Sequence, residues 1–447
     1  MSARRLALDV LRRVSEGGYA DRCLDHALKE SPFLDPRDRA LATELVYGIL
    51  RLQNRLDFAL NQFTRKPLKK LEPDAQWLLR LGAYQILELD RIPGPVAVYE
   101  TVNLTKRVGL FRLTGLINAV LRRLLRAAES LQWPDPAVDP VVYLTWRLSL
   151  PKWLAQQFFR DLGQEAISFA ASLLEPAPFS IRVNTLKISR AAYLQKLAEN
   201  GHTAAPNIFA PEGLTIKGRG SSPLPGDAQG WYQVQDEASM LISHLVAPKP
   251  NERVIDVCAA PGGKTTHLAS LSDNQATIDA VDLHSHRVRL IDQGAKRLGA
   301  TRITSHIWDM TDAPAFLATK SYDAVLVDAP CSGLGVLRRN PEIRWRLHPD
   351  DLVDLANRQK QILKQSAQLV KPGGRLIYSV CTVSGQETQE VIDSFLLEHS
   401  EFSPDPFNHD TPQTWAVLFD ELGQFRSWPH RHGLDGFFAV RLRRQPD

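Results

Sequence analysis

The sequence predicts a multidomain chain: an all-α bundle, a small α+β module, and an α/β Rossmann-like domain on a doubly wound, mostly parallel sheet. Three observations carry that reading. At 447 residues the chain is too long for one ordinary core. From Ala3 to about Ala128, apolar residues recur at helical spacing with no strand-like alternation. Beyond Gly230, short apolar runs alternate with helix-length segments, the pattern of a parallel sheet covered on both faces.

The first region spans residues 1–135. Leu6, Val10, Leu11 and Val14 share one helical face, and Leu78, Leu79, Leu81, Leu87 and Leu89 mark a later helix. Breakers at Gly17-Gly18, Pro32, Pro36, Pro67, Pro73 and Pro93-Gly94-Pro95 divide the run into six or seven short helices. Residues 131–140, with three prolines, read as a linker. The second region, residues 141–229, has a helix over 151–174, a strand over 179–186, a helix over 190–200 and a short strand over 213–216, a small α+β (RRM-like) module. The third, residues 230–447, has strands at 254–258, 277–281, 303–307, 324–327 and 375–379. Such sheets bind ligands beyond the carboxyl ends of their strands, so the residues just after those five strands are the candidates for chemistry.

Composition narrows the class. With 44% hydrophobic and 23% charged residues, this is a soluble globular chain rather than a disordered one. No stretch of about 18 apolar residues is present to cross a bilayer. The opening MSARRLALDVLRRVSEGG has two arginine pairs but no apolar signal core, and Asp9 and Glu16 set it apart from transit peptides. A cytoplasmic location is expected. Cysteines 23, 258, 331 and 381 are too sparse for a disulfide framework and form no CxxC pair, so no metal is expected. Cys23 reads as a small buried apolar residue. The net charge of +4 is uneven: residues 1–135 hold 22 Lys and Arg against 16 Asp and Glu, leaving the remainder slightly acidic. A basic module beside a near-neutral one suits a nucleic-acid partner, although an ordinary solvated helical surface would look the same.

The first of the five strands runs through Asp256, Val257 and Cys258 into Ala259-Ala260-Pro261-Gly262-Gly263-Lys264-Thr265. Two small residues, a proline and two glycines make a tight turn that a ligand can approach, facing the free N–H groups of the next helix. A phosphate-binding P-loop needs a glycine five positions before Gly263, where Cys258 stands, and the dinucleotide pattern G-x-G-x-x-G is absent. The remaining reading is the S-adenosylmethionine loop of a methyltransferase. Asp282 ends the second strand about 20 residues past the glycines, where an acid binds both ribose hydroxyls or caps a helix. Asp309 follows the third strand, either meeting the adenine edge or standing as a plain surface aspartate.

After the fourth strand comes Asp328-Ala329-Pro330-Cys331-Ser332-Gly333, and after the fifth Tyr378-Ser379-Val380-Cys381-Thr382. One buried thiol is commonplace; two at matching strand ends point to chemistry. Carbon 5 of cytosine is too weak a nucleophile to take a methyl group unaided, and a thiolate adding to carbon 6 activates it. An acid must hold N3 or the exocyclic amine meanwhile, and Asp328 is placed for that. The carbon 5 proton must then leave, and a second thiol could assist. Chemistry alone leaves open which cysteine attacks, since the Pro-Cys nucleophile of DNA cytosine-5 methyltransferases would correspond to Cys331.

The segments VCAAPGGKTTHLA, DAPCSGLGVLRRNPEIRWR and YSVCTVSGQETQEVI together resemble the RNA 5-methylcytosine methyltransferases, the NOL1/NOP2/Sun group. That resemblance implies a class I methyltransferase fold, Cys381 as nucleophile and Cys331 as the residue aiding release. It also implies S-adenosylmethionine held by Cys258, Ala259, Ala260, Pro261, Gly262, Gly263, Lys264, Asp282, Asp309 and Asp328. The segment PHRHGLDGFFAVRL resembles the group's closing segment, an antiparallel strand over 437–442, and RVNTLK is present from Arg182 to Lys187. Two departures stand out: Glu387-Thr388 replaces the usual Glu-Asn, and Thr382 follows the nucleophile where serine is commoner.

DRALATELVYGILRLQNRLDFAL resembles the NusB RNA-binding fold, which makes the first region a NusB-like RNA-binding domain. Joined to this catalytic domain, it is similar to the bacterial small-subunit ribosomal RNA methyltransferases. The resemblance implies one cytosine of 16S rRNA as target, in free rRNA or an early assembly intermediate, modified by a monomer. A DNA methyltransferase would leave Cys381 unexplained and lacks its target-recognition module here. A catalytically dead assembly factor would not need both cysteines, Asp328 and the cofactor loop, and a small-molecule enzyme would not need the basic bundle. Arg182 and Asn184, with Arg338, Arg339 and Arg344 of an arginine-rich loop, are expected to hold RNA phosphates while the sheet reads one base. Trp345 in that loop reads as packing.

Overall fold

The computed structural model describes residues 2–218, 223–314, 316–317, 319–407 and 410–446. The chain forms two compact units, Met1–Pro176 with Leu337–Arg346, and Ala177–Val336 with Leu347–Asp447.

The first unit is helical. Its bundle comprises α1 (Ala3–Ser15), α2 (Ala20–Lys29), α3 (Pro36–Arg51), α4 (Gln53–Asn61), α5 (Pro73–Glu88), α6 (Gly94–Arg107) and α7 (Thr114–Ala127). The breakers read from sequence act as starts: Asp35 caps α3 by accepting from the Arg37 and Asp38 N–H groups, and Pro36 takes the first position, where no N–H is needed. The apolar face of α1 (Leu6, Val10, Leu11, Val14) is buried against Leu45, Ile49, Leu78 and Leu121 in one core, each leucine contributing about 1.5–3 kcal/mol.

The linker carries no regular structure over 131–139, yet it is pinned. Trp133 stacks on Phe58 with centroids 5.3 Å apart, beneath the guanidinium of Arg147 at 4.7 Å. The chain then stays with the bundle through α8 (Pro140–Trp146), α9 (Lys152–Leu162) and α10 (Glu165–Ser172). Trp146 also meets Phe58, and Asn54 donates to the Leu150 carbonyl at 2.8 Å. These helices pack in the helical unit up to Pro176, and the expected single helix over 151–174 breaks at Gly163, where φ is +56°.

The second unit holds two sheets. The smaller is antiparallel and contains β1 (Phe179–Val183), β2 (Thr203–Pro206), β3 (Gly213–Lys217) and β4 (Tyr232–Val234) in the order β2-β3-β1-β4, with α11 (Arg190–Glu199). β4 extends this sheet past the expected boundary at residue 229: three residues are too few to show alternation, but they pair with β1 as Ile181↔Val234.

The larger sheet contains β5 (Arg253–Asp256), β6 (Thr277–Asp282), β7 (Ile303–Ile307), β8 (Tyr322–Asp328), β9 (Val370–Val380), β10 (Phe402–Pro404), β11 (Phe425–Ser427) and β12 (Phe437–Arg444). Its order is β10-β12-β9-β8-β5-β6-β7, with β11 paired to β12. β5 to β9 run parallel, and β12 lies antiparallel on β9, as the closing segment led us to expect. One face packs Val254, Leu326 and Ile377 against Leu241 and Leu245 of α12 (Glu237–Val246) and Leu268 of α13 (Gly263–Leu271). The other packs Ile255, Val325 and Leu376 against Ile362 of α16 (Pro349–Ala367) and Val391 of α17 (Gln389–Glu398). Adjacent strand residues thus enter opposite cores, the doubly wound arrangement. Among the described residues, no helix is long and apolar enough to cross a membrane.

Candidate active site

The carboxyl ends of the parallel strands surround a cavity of about 290 Å³, walled by Cys258, Ala260, Asp282, Asp309, Asp328, Cys331, Arg358 and Cys381 among others. The turn after β5 works through its backbone. Gly262, at φ +96°, opens α13, and a Cβ there would stand 3.1 Å from the Ile291 Cα. Ala259, Pro261, Gly262 and Gly263 shape this turn, while Cys258 and Ala260 face the cavity. Burial, then the nearby Asp256 carboxyl, pushes the Cys258 thiol well up, so it is a neutral wall group.

Asp282 is almost fully buried and accepts from the Ala260 and His284 N–H groups at 3.2 Å each. A carboxylate has lone pairs beyond these two bonds, so it can also take ribose hydroxyls. Asp309 accepts from the Thr311 N–H and hydroxyl, which hold its carboxyl below the usual range. Leu283, Met310 and Ile362 supply the apolar part of the wall between these acids. An acid for the sugar, a second acid and an apolar slot fit S-adenosylmethionine.

β8 and β9 lie in parallel register, Asp328 beside Ser379. Ser379 Oγ donates to Asp328 Oδ1 at 2.8 Å, and Lys264 Nζ donates to Oδ2 at 2.7 Å. Burial works against the Lys264 charge, but Asp328 outweighs it and the net shift is upward, so Lys264 stays an ammonium. The two strand ends deliver Cys331 and Cys381 with their sulfurs 3.3 Å apart. The Cys331 thiol is pushed well up by its hydrogen bond to Cys381, by burial and by the Cys381 and Glu387 charges. Either sulfur can be the donor in that contact. The Gly335 N–H donates to the Cys381 carbonyl at 3.1 Å, and any Cβ at Gly335 would collide with the Gly436 carbonyl.

Glu387 is the functional residue that the sequence reading missed. Its side chain is fully buried. Oε1 accepts from Ser332 N at 2.8 Å and Gln359 Nε2 at 3.0 Å; Oε2 accepts from Ser332 Oγ at 2.5 Å and Thr382 Oγ1 at 3.1 Å. One carboxylate thus ties the residue after Cys331 to the residue after Cys381. An acid in the polar string Gly385-Gln386-Glu387-Thr388 looks like surface; only its place in the Glu-Asn pair could have flagged it. Thr388, which replaces the asparagine, makes local turn bonds to the Ser384 and Gly385 carbonyls.

The residues expected to grip RNA are placed differently. Arg182 is 1% exposed and donates to Gln235 Oε1, the Gly263 carbonyl and Thr266 Oγ1. Asn184 is 2% exposed and donates to the Gly230 and Leu298 carbonyls. Both tie the small sheet to the cofactor turn and its neighbours, which corrects their reading as phosphate contacts. The same holds in the helical unit for Arg344, in α15 (Ile343–Arg346): it is fully buried and donates to the Ser149 and Leu337 carbonyls at 3.3 Å each. Burial pushes it down to about 9. Arg338 is also buried, and Arg339 is half-buried. Trp345 donates Nε1 to the Leu50 carbonyl at 2.6 Å, the packing role expected of it. Arg346 donates to the Val14 and Gly18 carbonyls, and Glu342 accepts from Ala20 N at 3.0 Å. The arginine-rich loop is a clip within the helical unit. Cys23 is partly buried against the bundle core, in line with its apolar reading.

Family models match three stretches of the chain. That of the 16S rRNA methyltransferase RsmB/F matches residues 243–443, that of the NusB family residues 1–126, and that of the ferredoxin-like domain of RsmF/B-like methyltransferases residues 150–222. The probable ribosomal RNA small subunit methyltransferase B of Synechocystis sp. is 38% identical, with 99% of this chain and 100% of the relative covered. Its counterpart from Bacillus subtilis is 36% identical over 99% of both. Among solved structures, that of PH0851 is 29% identical with a TM-score of 0.83 over 98% of both chains. A methyltransferase homolog from Pyrococcus horikoshii is 28% identical with a TM-score of 0.59, covering 70% of this chain and 100% of its own.

Proposed function

The chain belongs to the RsmB/F family of ribosomal RNA small subunit methyltransferases, and from that premise we propose that it methylates carbon 5 of a single cytosine in 16S rRNA, with Cys381 as the nucleophile. S-adenosylmethionine is the methyl donor; when bound it supplies an electrophilic methyl group, and Asp282, Asp309 and the Cys258–Ala260 turn are the residues that would hold it.

What supports the reading most is the thiol pair with sulfurs 3.3 Å apart beside the Lys264–Asp328 ion pair. Cys381, which follows β9 as the nucleophile does in the family its motif resembles, is the sulfur that adds to carbon 6. Asp328, facing the cavity, accepts from the exocyclic amine, and the Lys264 ammonium offsets negative charge as it develops on the ring. Once carbon 5 carries the methyl group, it gives up its proton to a water molecule, the carbon 5–hydrogen pair re-forms the 5,6 double bond, and the carbon 6–sulfur pair returns to Cys381, with the protonated Cys331 hydrogen-bonding to the departing thiolate.

The basic helical unit suits a role in holding rRNA, and the target base must be unpaired or extruded before a thiolate can reach it. Free 16S rRNA or an early assembly intermediate meets that need, with the protein acting as a cytoplasmic monomer. The division into a NusB-like domain over 1–135, a small module over 141–229 and a catalytic domain over 230–447 belongs to the same proposal.

The deciding experiment compares Cys381→Ala with Cys331→Ala on rRNA and labelled cofactor. Loss of Cys381 should abolish both turnover and covalent adduct. Loss of Cys331 should let a denaturant-resistant protein–RNA adduct accumulate. An adduct that builds up in the Cys381 variant instead would reverse the two roles.

A further inference from the structure

Away from the cavity, three side chains converge in the second unit. Glu212 stands just before β3, His244 near the end of α12 and His267 in the middle of α13. Their ligand-capable atoms all lie within 4.8 Å of one another. Glu212 Oε2 is 3.0 Å from His244 Nε2, and Glu212 Oε1 is 2.9 Å from His267 Nε2. Glu212 is 6% exposed and His267 1%.

His267 is the anomaly. Its Nε2 faces the Glu212 carboxylate, but its buried Nδ1 has no hydrogen-bond partner among the described residues. Buried polar atoms are nearly always satisfied, and one that is not calls for an unseen water or ion. We propose that Glu212, His244 and His267 form a binding site for a divalent transition metal, zinc by preference.

Two imidazoles and one carboxylate are a zinc-type donor set, which leaves a fourth position for water or hydroxide. With bonds of roughly 2.0–2.2 Å, neighbouring ligand atoms on one ion stand about 3.3–4 Å apart. The two distances from Glu212 approach that range. A ligand imidazole must be neutral, and the deep burial of His267 suits that form. Arg182, nearby, opposes a cation here, which favours hydroxide as the fourth ligand. The ion would join the small sheet to α12 and α13, the helix that begins at the cofactor turn. This site stands apart from the proposed methyl transfer and does not depend on it.

The test uses full-length protein carrying Cys331→Ser and Cys381→Ser, which removes the paired thiols as competing ligands. After chelation and titration with Zn²⁺, bound metal is counted on desalted protein by elemental mass spectrometry. About one zinc per chain is expected, with a higher melting temperature than the stripped protein. His244→Gln, at the least buried of the three positions, should lose that zinc and the thermal gain while keeping the circular dichroism spectrum of the parent. Glu212→Gln should behave alike. If the parent holds no stoichiometric zinc, or His244→Gln holds as much as the parent, the proposal fails and Glu212 is simply the counter-charge of Arg182.

Discussion

Cys331 and Cys381 leave adjacent strands and share a hydrogen bond across 3.3 Å, and that contact, with burial, pushes the Cys331 thiol well up. The first cause of the high Cys331 pKa is that hydrogen bond, and removing its partner should lower it. Differential alkylation read by mass spectrometry should find Cys331 reactive only at strongly alkaline pH in the parent protein. In Cys381→Ala its reactivity should begin at lower pH. An unchanged profile would show that burial alone sets the Cys331 proton.

Glu387 accepts four hydrogen bonds, three of which link the two cysteine loops while the fourth comes from Gln359 of α16. Glu387→Ala strands these buried donors and should destabilise the protein by about 2–4 kcal/mol, measured by denaturant melts. Loss of the fixed sulfur spacing should lower kcat by roughly ten- to a hundredfold. The KM for S-adenosylmethionine should change little, because Glu387 does not line the cavity near Asp282. A raised KM with unchanged kcat would contradict this positioning role.

Burial raises Asp256 to about 7 from the ordinary 3.8, against the opposing hydrogen bond from Thr265. The folded state therefore holds a proton that the unfolded state releases between about pH 4 and 7. Stability from this group is fully present below pH 4 and declines as pH rises to 7, by an amount on the order of a few kcal/mol. Asp256→Asn keeps the acceptor for Thr265 and cannot ionise. It should melt above the parent at pH 8, with the gap narrowing toward pH 4. A constant gap across that window would assign the effect to packing.

Arg344→Met removes a buried guanidinium whose bonds go to Ser149 and Leu337. The melting temperature of the protein should change while the slope of log affinity for rRNA against log salt stays the same. A true phosphate contact would reduce that slope by about 0.9, and such a drop would restore the RNA-gripping role of this loop.

The parallel strands, the glycine turn and both catalytic loops were legible because their signals are local. A run such as Val254-Ile255-Asp256 followed by Ala260-Pro261-Gly262-Gly263 carries strand, turn and helix start within a dozen residues. Burial of charge is not local. Arg182, Arg344 and Glu387 sit in polar strings, and whether such side chains face water depends on segments 50 to 200 residues away, as with Arg344 and Ser149 or Arg182 and Gly263. The packing of the helices after residue 140 is hidden for the same reason: their partners include Phe58 and Asn54, far back in the chain.

The partner that β12 gives β9 has a consequence for biosynthesis. Val380 ends β9 and Phe437 opens β12 about sixty residues later. At roughly 5–20 residues per second, a ribosome takes several seconds to supply that strand. During this interval the strand leading to Cys381 presents an unpaired edge, the kind that recruits other chains. The nascent chain is thus most vulnerable to aggregation just after Cys381 has been made, when a chaperone holding that edge would have the greatest effect on yield.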